Sequence, residues 1–245
     1  MSSIVLSIRQ DLKELADEAL RTGGKRFFKE DVTLYGVRTA TVQRMAREYW
    51  LQINGLPKTT ILGYCEELWQ SGFMEEAFIA CSWSNQIHKR YTPEDFETLE
   101  RWVSIYVSNW ATCDTLSNHT VGNFVQMYPQ FIQSLRSWTA SPNRWLRRSA
   151  AVSLIVPARR GLFLDDILGI ATLLLTDKDD LVQKGYGWML KVASQAHPNE
   201  VFTFIMGSKT SMPRTALRYA IEKMPKELWN ARQATKRDTA LPLKP

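Results

Sequence analysis

Hydrophobic residues recur at helical spacing through almost the whole chain, and prolines or glycines interrupt them about every fifteen to twenty residues. Almost no segment shows the strict alternation that a half-buried strand requires. A helix of this length buries its apolar stripe only against a partner, and tight connections favour antiparallel pairs. The pattern therefore predicts an all-α fold.

Residues that start and stop helices support this prediction. Residues 4–22 carry a broad apolar stripe that stops at the two glycines 23–24, so we expect one helix there. Pro57 is expected to open another helix, and Gly72 to end it. The sequence Thr-Pro-Glu-Asp at 92–95 supplies a cap residue, a proline and two first-turn acids, which predicts a further helix start.

Helix pairs repeat in the second half of the chain with a period of about thirty-five residues. The predicted pairs are 130–140 with 143–157, 164–176 with 180–196, and 200–206 with 213–225. Such repeats predict an α-solenoid of the HEAT or TPR kind, and the Trp-x₂-Leu-Gly signature of TPR is absent. We predict one HEAT-like domain over residues 1–230, with a concave surface lined by the second helices, and a flexible tail over residues 231–245.

Positive charge is concentrated in the second half of the chain. Residues 1–122 contain 13 Lys and Arg against 16 Asp and Glu, whereas residues 123–245 contain 18 against 9. A basic half indicates a region that faces a polyanion, although a cationic surface that only keeps a protein soluble has a similar composition. Nucleic acid is the partner that we expect first.

No metal, cofactor or membrane is predicted. The three cysteines lack CxxC spacing, their odd number argues against a disulfide framework, and the three histidines are too scattered for a zinc site. The first residues reach a charge too early for a signal peptide, and no apolar stretch approaches the thickness of a bilayer. We expect a cytoplasmic monomer, associated with the nucleoid when it is bound to DNA.

The stretch Trp-Ala-Thr-Cys-Asp at 110–114 places a large aromatic residue and a carboxylate one helical turn apart on the same face. The same spacing recurs in the next two repeats. The six positions are Trp110, Asp114, Arg144, Arg148, Lys184 and Trp188. We predict that one concave surface collects them, because an aromatic plate, a carboxylate and cations suit a cationic sugar or base on a phosphate backbone. Taken singly, each residue has an ordinary structural interpretation in a core or on a solvated face.

Four segments resemble the AlkD family of alkylpurine DNA glycosylases: 109–114, 145–151, 183–191 and the Leu-Tyr-Gly-Val-Arg turn at 34–38. The resemblance covers nearly the whole chain. It implies a HEAT-like fold whose concave surface grips duplex DNA, and an activity that excises N3- and N7-alkylated purines without a metal or cofactor.

The resemblance also implies a role for individual residues. Asp114 would be the catalytic carboxylate, and Arg148 would contact a phosphate. Trp110 and Trp188 would lie against the deoxyribose backbone. The chemistry supports such a site. An alkylated purine is already cationic and leaves as a neutral base. The carboxylate therefore needs only to stabilise the oxocarbenium ion and to activate water. A monofunctional glycosylase is the predicted enzyme.

Four more residue assignments concern DNA contact. Family members often have Tyr where this chain has Phe27, so a hydrogen bond from the hydroxyl would be lost while the packing is kept. Arg144, Arg147 and Lys184 are predicted to bind DNA as well. Lys184 could instead form a Schiff base, but an exposed lysine is protonated at neutral pH, which favours a phosphate contact.

Two further functional classes remain open. Ser117 and His119 lie close to Asp114, although their spacing turns them apart on a helix and no nucleophile elbow is present, which argues against a hydrolase triad. A helical repeat that binds DNA or a protein without chemistry shares the same fold and charge. The preferred adduct, and whether the base leaves the stack, are left open too.

Binding dominated by charge predicts a steep dependence on salt. If about six phosphates are neutralised, the logarithm of the association constant should fall against the logarithm of salt concentration with a slope of about −5. Arg148→Ala should make that slope shallower by about one. Fluorescence anisotropy with a labelled duplex measures both, and a flat response would argue against nucleic acid as the partner.

Overall fold

A computed structural model describes residues 2–224, and its contacts divide the chain into two compact units, Met1–Ile132 and Gln133–Pro245. All regular structure in the described residues is helical apart from one isolated bridge between Thr33 and Phe73. The predicted all-α class of paired, HEAT-like helices is confirmed. The predicted tail, 231–245, lies outside the described residues, and the single domain over 1–230 stays a prediction.

The first unit is built from helices that pack mainly on their neighbours in sequence. Its helices are α1 (Ser3–Glu14), α2 (Glu18–Phe27), α3 (Thr39–Ile53), α4 (Lys58–Trp69), α5 (Met74–Gln86), α6 (Phe96–Arg101), α7 (Trp110–Thr115) and α8 (Gly122–Met127). The helix that starts as α6 continues as a π-helical segment, Trp102–Tyr106, and a second π segment, Leu116–Val121, joins α7 to α8. Helix α5 packs against both α3 and α4.

The prediction of one helix over residues 4–22 is wrong. Helix α1 ends at Glu14, and the extended residue Asp17 caps α2 by accepting a hydrogen bond from the amide of Leu20 at 2.9 Å. Helix α2 then runs through both glycines instead of stopping there. The physical reason lies at Gly24, where an added Cβ would lie 2.7 Å from a methyl group of Leu34. This glycine permits a close approach rather than ending the helix.

The other helix boundaries of the first unit follow the sequence signals. Pro57 precedes the first residue of α4, and Gly72 follows that helix with a φ of 73°. The amide of Thr92 donates to the carboxylate of Asp95 at 2.6 Å, which completes a capping box before α6. In the core, the indole nitrogen of the fully buried Trp83 donates to the carbonyl of Ala46 at 2.9 Å.

The second unit is organised around one long helix, α13. The helices of this part of the chain are α9 (Ile132–Trp138), α10 (Arg144–Val152), α11 (Ile155–Arg159), α12 (Leu164–Leu173), α13 (Asp180–Ala196), α14 (Pro198–Ser208) and α15 (Arg214–Ile221). Helix α13 packs against α10, α11, α12, α14 and α15. The predicted pair 164–176 with 180–196 is therefore present as α12 and α13.

The predicted helix over 143–157 is interrupted between α10 and α11. Pro157 has no amide hydrogen, so it cannot donate to the carbonyl of Ser153, and the chain breaks its helical course at that point. Trp145, near the start of α10, is buried, as expected for a residue of the helix stack. Within residues 2–224, each helix is either too short or too polar to span a bilayer.

Glu66 ties α4 to the π segment that precedes the candidate site. Its carboxylate accepts hydrogen bonds from the guanidinium of Arg101, the indole of Trp102 and the hydroxyl of Tyr106. Partial burial raises the pKa of Glu66, but these three donors outweigh it and lower the pKa below its ordinary value. The charged form is therefore the one that stabilises the fold.

Glu66→Gln should change how stability depends on pH. A carboxyl whose pKa is lowered by folding stabilises the protein above its unfolded pKa of about 4.3, and this contribution is lost as pH falls through the folded pKa. The wild type should therefore lose unfolding free energy more steeply below about pH 4.5 than Glu66→Gln does. Urea unfolding at a series of pH values measures this, with the exposed Glu97→Gln as control. Parallel curves for wild type and Glu66→Gln would contradict it.

Candidate active site

Helix α7 begins at the predicted aromatic residue because Asn109 caps it. The side-chain oxygen of Asn109 accepts a hydrogen bond from the amide of Thr112 at 3.0 Å, and Asn109 itself is extended and buried. Trp110 is thus the first residue of the helix, and Asp114 follows one turn later on the same face. Both side chains are half-buried, so each is supported by the protein and also open to solvent.

Two phenylalanines from the end of α2 pack against Trp110. The ring centroid of Phe27 lies 5.9 Å from that of Trp110, and the centroid of Phe28 lies 5.5 Å from it. The Phe27 ring remains 70% exposed, which leaves it available to a ligand. The structure therefore brings together two predicted site residues, Phe27 and Trp110. Phe28 was not predicted, and its only signal in the sequence is its place beside Phe27.

Ser117 and His119, which follow Asp114 in the sequence, lie in the π segment Leu116–Val121. Ser117 is fully buried, whereas His119 is exposed. Thr120 is also buried, with its hydroxyl 3.0 Å from that of Ser84. A serine and a histidine with such different exposure do not form a nucleophile and base, which removes the support for a hydrolase triad.

In the second unit, Arg148 is buried rather than solvated. Its side chain is on α10, and its guanidinium donates to the carbonyl of Leu181 in the first turn of α13. Its aliphatic part passes over Gly185, where an added Cβ would lie 3.3 Å from the Cγ of Arg148. The interpretation of this residue as a solvated charge is not supported, and its contact with a phosphate stays a prediction.

The other predicted cations of this unit are in ion pairs with aspartates near the start of α13. Nε of Arg144 lies 2.7 Å from the carboxylate of Asp179, and Nε of Arg147 lies 2.7 Å from that of Asp177. Nζ of Lys184 lies 3.1 Å from the carboxylate of Asp180. These three residues are therefore not the bare positive charges that their positions in the sequence suggest.

Trp188 lies one helical turn after Lys184 on α13 and is half-buried. The aromatic pair Trp110 and Trp188 belongs to different units, and the single surface that would collect them stays a prediction. The second unit also has exposed cations that the sequence analysis does not assign to DNA binding and that have no ion-pair partner among residues 2–224. Four of these are Lys178, Lys209, Arg214 and Arg218.

The chemistry that the first unit offers is that of a carboxylate beside aromatic rings. Asp114 can stabilise a positive charge or accept a proton from water, and the face of Trp110 attracts a cation. In the described part of the chain, no three His, Cys, Asp or Glu side chains are arranged to hold a metal ion. The cysteines Cys65, Cys81 and Cys113 are buried, and burial raises the pKa of the Cys81 thiol well above its usual value.

Comparison with known proteins gives one match at the level of a family. A family model described as "DNA alkylation repair enzyme" matches residues 8–224. No curated protein matches.

Solved structures share the fold at low sequence identity. A predicted DNA alkylation repair enzyme from Enterococcus faecalis is 16% identical, with a TM-score of 0.77 over 86% of this chain and 97% of that one. AlkD2 from Streptococcus mutans is 17% identical, with a TM-score of 0.59 over 75% of this chain and 90% of that one. Similarity at this level of identity establishes the fold alone.

Asp179→Asn should strengthen DNA binding if Arg144 contacts a phosphate. The substitution removes the charge that pairs with Arg144, while Asn caps α13 as well as Asp does, so the bond from the Leu181 amide is kept. Affinity for duplex DNA at about 0.1 M salt should rise about three- to tenfold. Asp165→Asn, which removes an exposed acid from α12, is the control. Equal effects of the two variants in anisotropy titrations would show that only net charge matters.

Proposed function

We propose a function that starts from an established premise: this chain belongs to the family of DNA alkylation repair enzymes. It is a monofunctional DNA glycosylase that hydrolyses the N-glycosidic bond of N3- and N7-alkylated purines in duplex DNA. The observation that carries the proposal is helix α7, which presents a half-buried aromatic ring and a half-buried carboxylate one turn apart. Phe27 and Phe28 support that ring from the side.

The substrate class follows from the groups at this site. Alkylation at N3 or N7 gives the purine a positive charge, so the base leaves in neutral form and no general acid is required. What the enzyme must stabilise is the positive charge on the sugar, which develops oxocarbenium character as the glycosidic bond breaks. A carboxylate one helical turn from an aromatic ring is suited to leaving groups of this kind, because it can stabilise the positive charge on the sugar.

Asp114 stabilises the developing cation and orients or deprotonates the attacking water. At a separation of about 4 Å and an effective dielectric constant of about 20, a unit charge contributes on the order of 4 kcal/mol, which corresponds to about 10³ in rate. This single term is large enough to distinguish a catalyst from a DNA-binding protein.

Aromatic rings add a smaller and less directional attraction. The face of Trp110 contributes about 0.5 to 2 kcal/mol when the cation is desolvated, and Trp188 contributes similarly if the two units place it at the same sugar. Phe27 has no hydroxyl, so it contributes packing and no hydrogen bond. The aromatic side chains therefore position the nucleotide, and the carboxylate supplies the larger part of the rate.

The phosphate backbone is held by cations of the second unit. Arg148 is fixed by its contact with α13. A phosphate takes the place of aspartate as the partner of Arg144, Arg147 and Lys184, since it accepts the same charge-assisted hydrogen bonds from a guanidinium or an ammonium group. The partner is duplex DNA, bound by a monomer in the cytoplasm and at the nucleoid. No cofactor takes part.

Asp114→Asn tests the proposal most sharply among single substitutions. Asn keeps the shape but removes the charge, so release of 7-methylguanine from duplex DNA should slow by about 10² to 10³. DNA affinity should stay the same or rise slightly, because an anion facing phosphates has been removed. Single-turnover kinetics with enzyme in excess gives the rate constant, and a melting curve confirms folding. Asp31→Asn, an exposed acid of the same unit, is the matched control.

The alternative, a DNA- or protein-binding module without chemistry, makes the opposite forecast. Asp114 would then only support the fold, and Asn would lower the melting temperature while any base release remained at the spontaneous rate for both proteins. An Asp114→Asn protein that is folded, binds DNA and excises at the wild-type rate would rule out the carboxylate mechanism.

A further inference from the structure

Helix α2 buries none of its residues, although it ends in Phe27 and is followed by Phe28, the two rings that contact Trp110. A helix usually owes its position to an apolar face buried in a core. Helix α2 lacks such a face, so its position must depend on a small number of specific contacts. Whatever fixes α2 also fixes two of the three aromatic rings of the candidate site.

The first turn of α2 rests directly on the backbone of Gly36. The carbonyl oxygen of Gly36 accepts a hydrogen bond from the amide of Asp17 at 3.2 Å. An added Cβ at Gly36 would overlap the carbonyl oxygen of Asp17 and lie 2.8 Å from the backbone nitrogen of Arg21. Gly36 also has a φ of 91°, a conformation that favours glycine. The close approach of α2 therefore requires the absence of a side chain here.

The carboxylate of Glu75 holds the turn that contains Gly36 by accepting hydrogen bonds from its backbone amides. Glu75 lies in the first turn of α5 and is only 3% exposed. Its two oxygens accept hydrogen bonds from the backbone amides of Tyr35 at 3.2 Å, Gly36 at 2.9 Å and Val37 at 3.1 Å. Hydrogen bonds to a charged acceptor are about twice as strong as neutral ones, and the N-terminus of a helix favours the negative charge. This turn is therefore rigid.

A cavity of about 270 Å³ lies beside α2. Leu20 and Gly24 line it from α2, and Leu34, Gly36 and Glu75 line it from the opposite side. The contacts that hold α2 are therefore few: its backbone contact with Gly36, the close approach of Gly24 to Leu34, and the ring contacts of Phe27 and Phe28 with Trp110. Of these, the contact at Gly36 positions the first turn of the helix.

We propose that Glu75 and Gly36 are positioning residues of the active site: they form the seat of α2 and thereby hold Phe27 and Phe28 against Trp110. Neither residue touches the substrate, and both act through the orientation of α2. The effect on base release rests on the proposed function, whereas the effect on α2 itself does not.

The chain offers a matched pair of glycines for a test. Gly36→Ala and Gly72→Ala both place a Cβ at a positive φ, 91° and 73°, so both carry the same kind of backbone strain. Only Gly36→Ala also pushes against α2, because an added Cβ at Gly72 meets nothing within 4 Å. Glu75→Gln is a second variant with no change in volume, and it replaces one acceptor oxygen by an amino group that faces backbone donors.

Two measurements are made on each full-length variant: amide hydrogen exchange of residues 18–27 without DNA, and single-turnover release of 7-methylguanine. Exchange in 18–27 should accelerate about tenfold or more in Gly36→Ala and Glu75→Gln, and the rate constant should fall about tenfold while DNA affinity changes less than about threefold. Gly72→Ala should show neither change. With folded enzyme in saturating excess over DNA, an unfolded fraction leaves the single-turnover rate constant unaltered, so a lower rate constant reports on the site itself.

Unchanged exchange of 18–27 in both Gly36→Ala and Glu75→Gln would overturn the proposal. So would faster exchange with a wild-type rate constant, since α2 would then have no influence on the site. If the wild type itself releases no base, the proposed function fails. The exchange data alone then still show whether Gly36 and Glu75 hold α2 in place.

Discussion

The three backbone hydrogen bonds accepted by Glu75 are the interaction on which the candidate active site most depends. A buried carboxylate is costly unless it is fully paired, and here the pairing fixes the turn around Gly36. That turn seats α2, and α2 carries Phe27 to Trp110. The aromatic part of the site is therefore held by polar contacts of the backbone, and not by a continuous apolar core.

The charges of the two units have different physical roles. Asp114 is half-buried and lies one helical turn after Trp110, and in the proposed mechanism its single charge acts on a developing cation. In the second unit, the three predicted cations Arg144, Arg147 and Lys184 are instead paired with Asp179, Asp177 and Asp180. In the proposed function, phosphates take the place of these aspartates as partners, so that catalysis and affinity depend on separate groups.

Local signals in the sequence predict many of the helix boundaries and the residues that share a helix face. They do not predict contacts between residues far apart in the sequence. The cap at Asn109 and the spacing of Trp110 and Asp114 place two candidate residues on one helix face, and the capping box at 92–95 marks a helix start. The ion pair of Arg144 joins side chains 35 positions apart. The repeat period indicates that the two segments are neighbours, but it does not show which side chains pair. Glu75 looks like an ordinary first-turn acid until the fold buries it. The break before α2 was missed because Asp17 caps a helix within an apolar pattern that continues past it.

Release of cationic alkylpurines as free bases is the activity that we propose for this protein. The most direct measurement incubates a duplex containing 7-methylguanine with excess wild-type protein, quantifies the free base by mass spectrometry and counts abasic sites in the same sample. We expect equal amounts of free 7-methylguanine and abasic sites, formed far faster than by spontaneous depurination and without strand cleavage. Base release at the spontaneous rate from DNA that the protein demonstrably binds would contradict it.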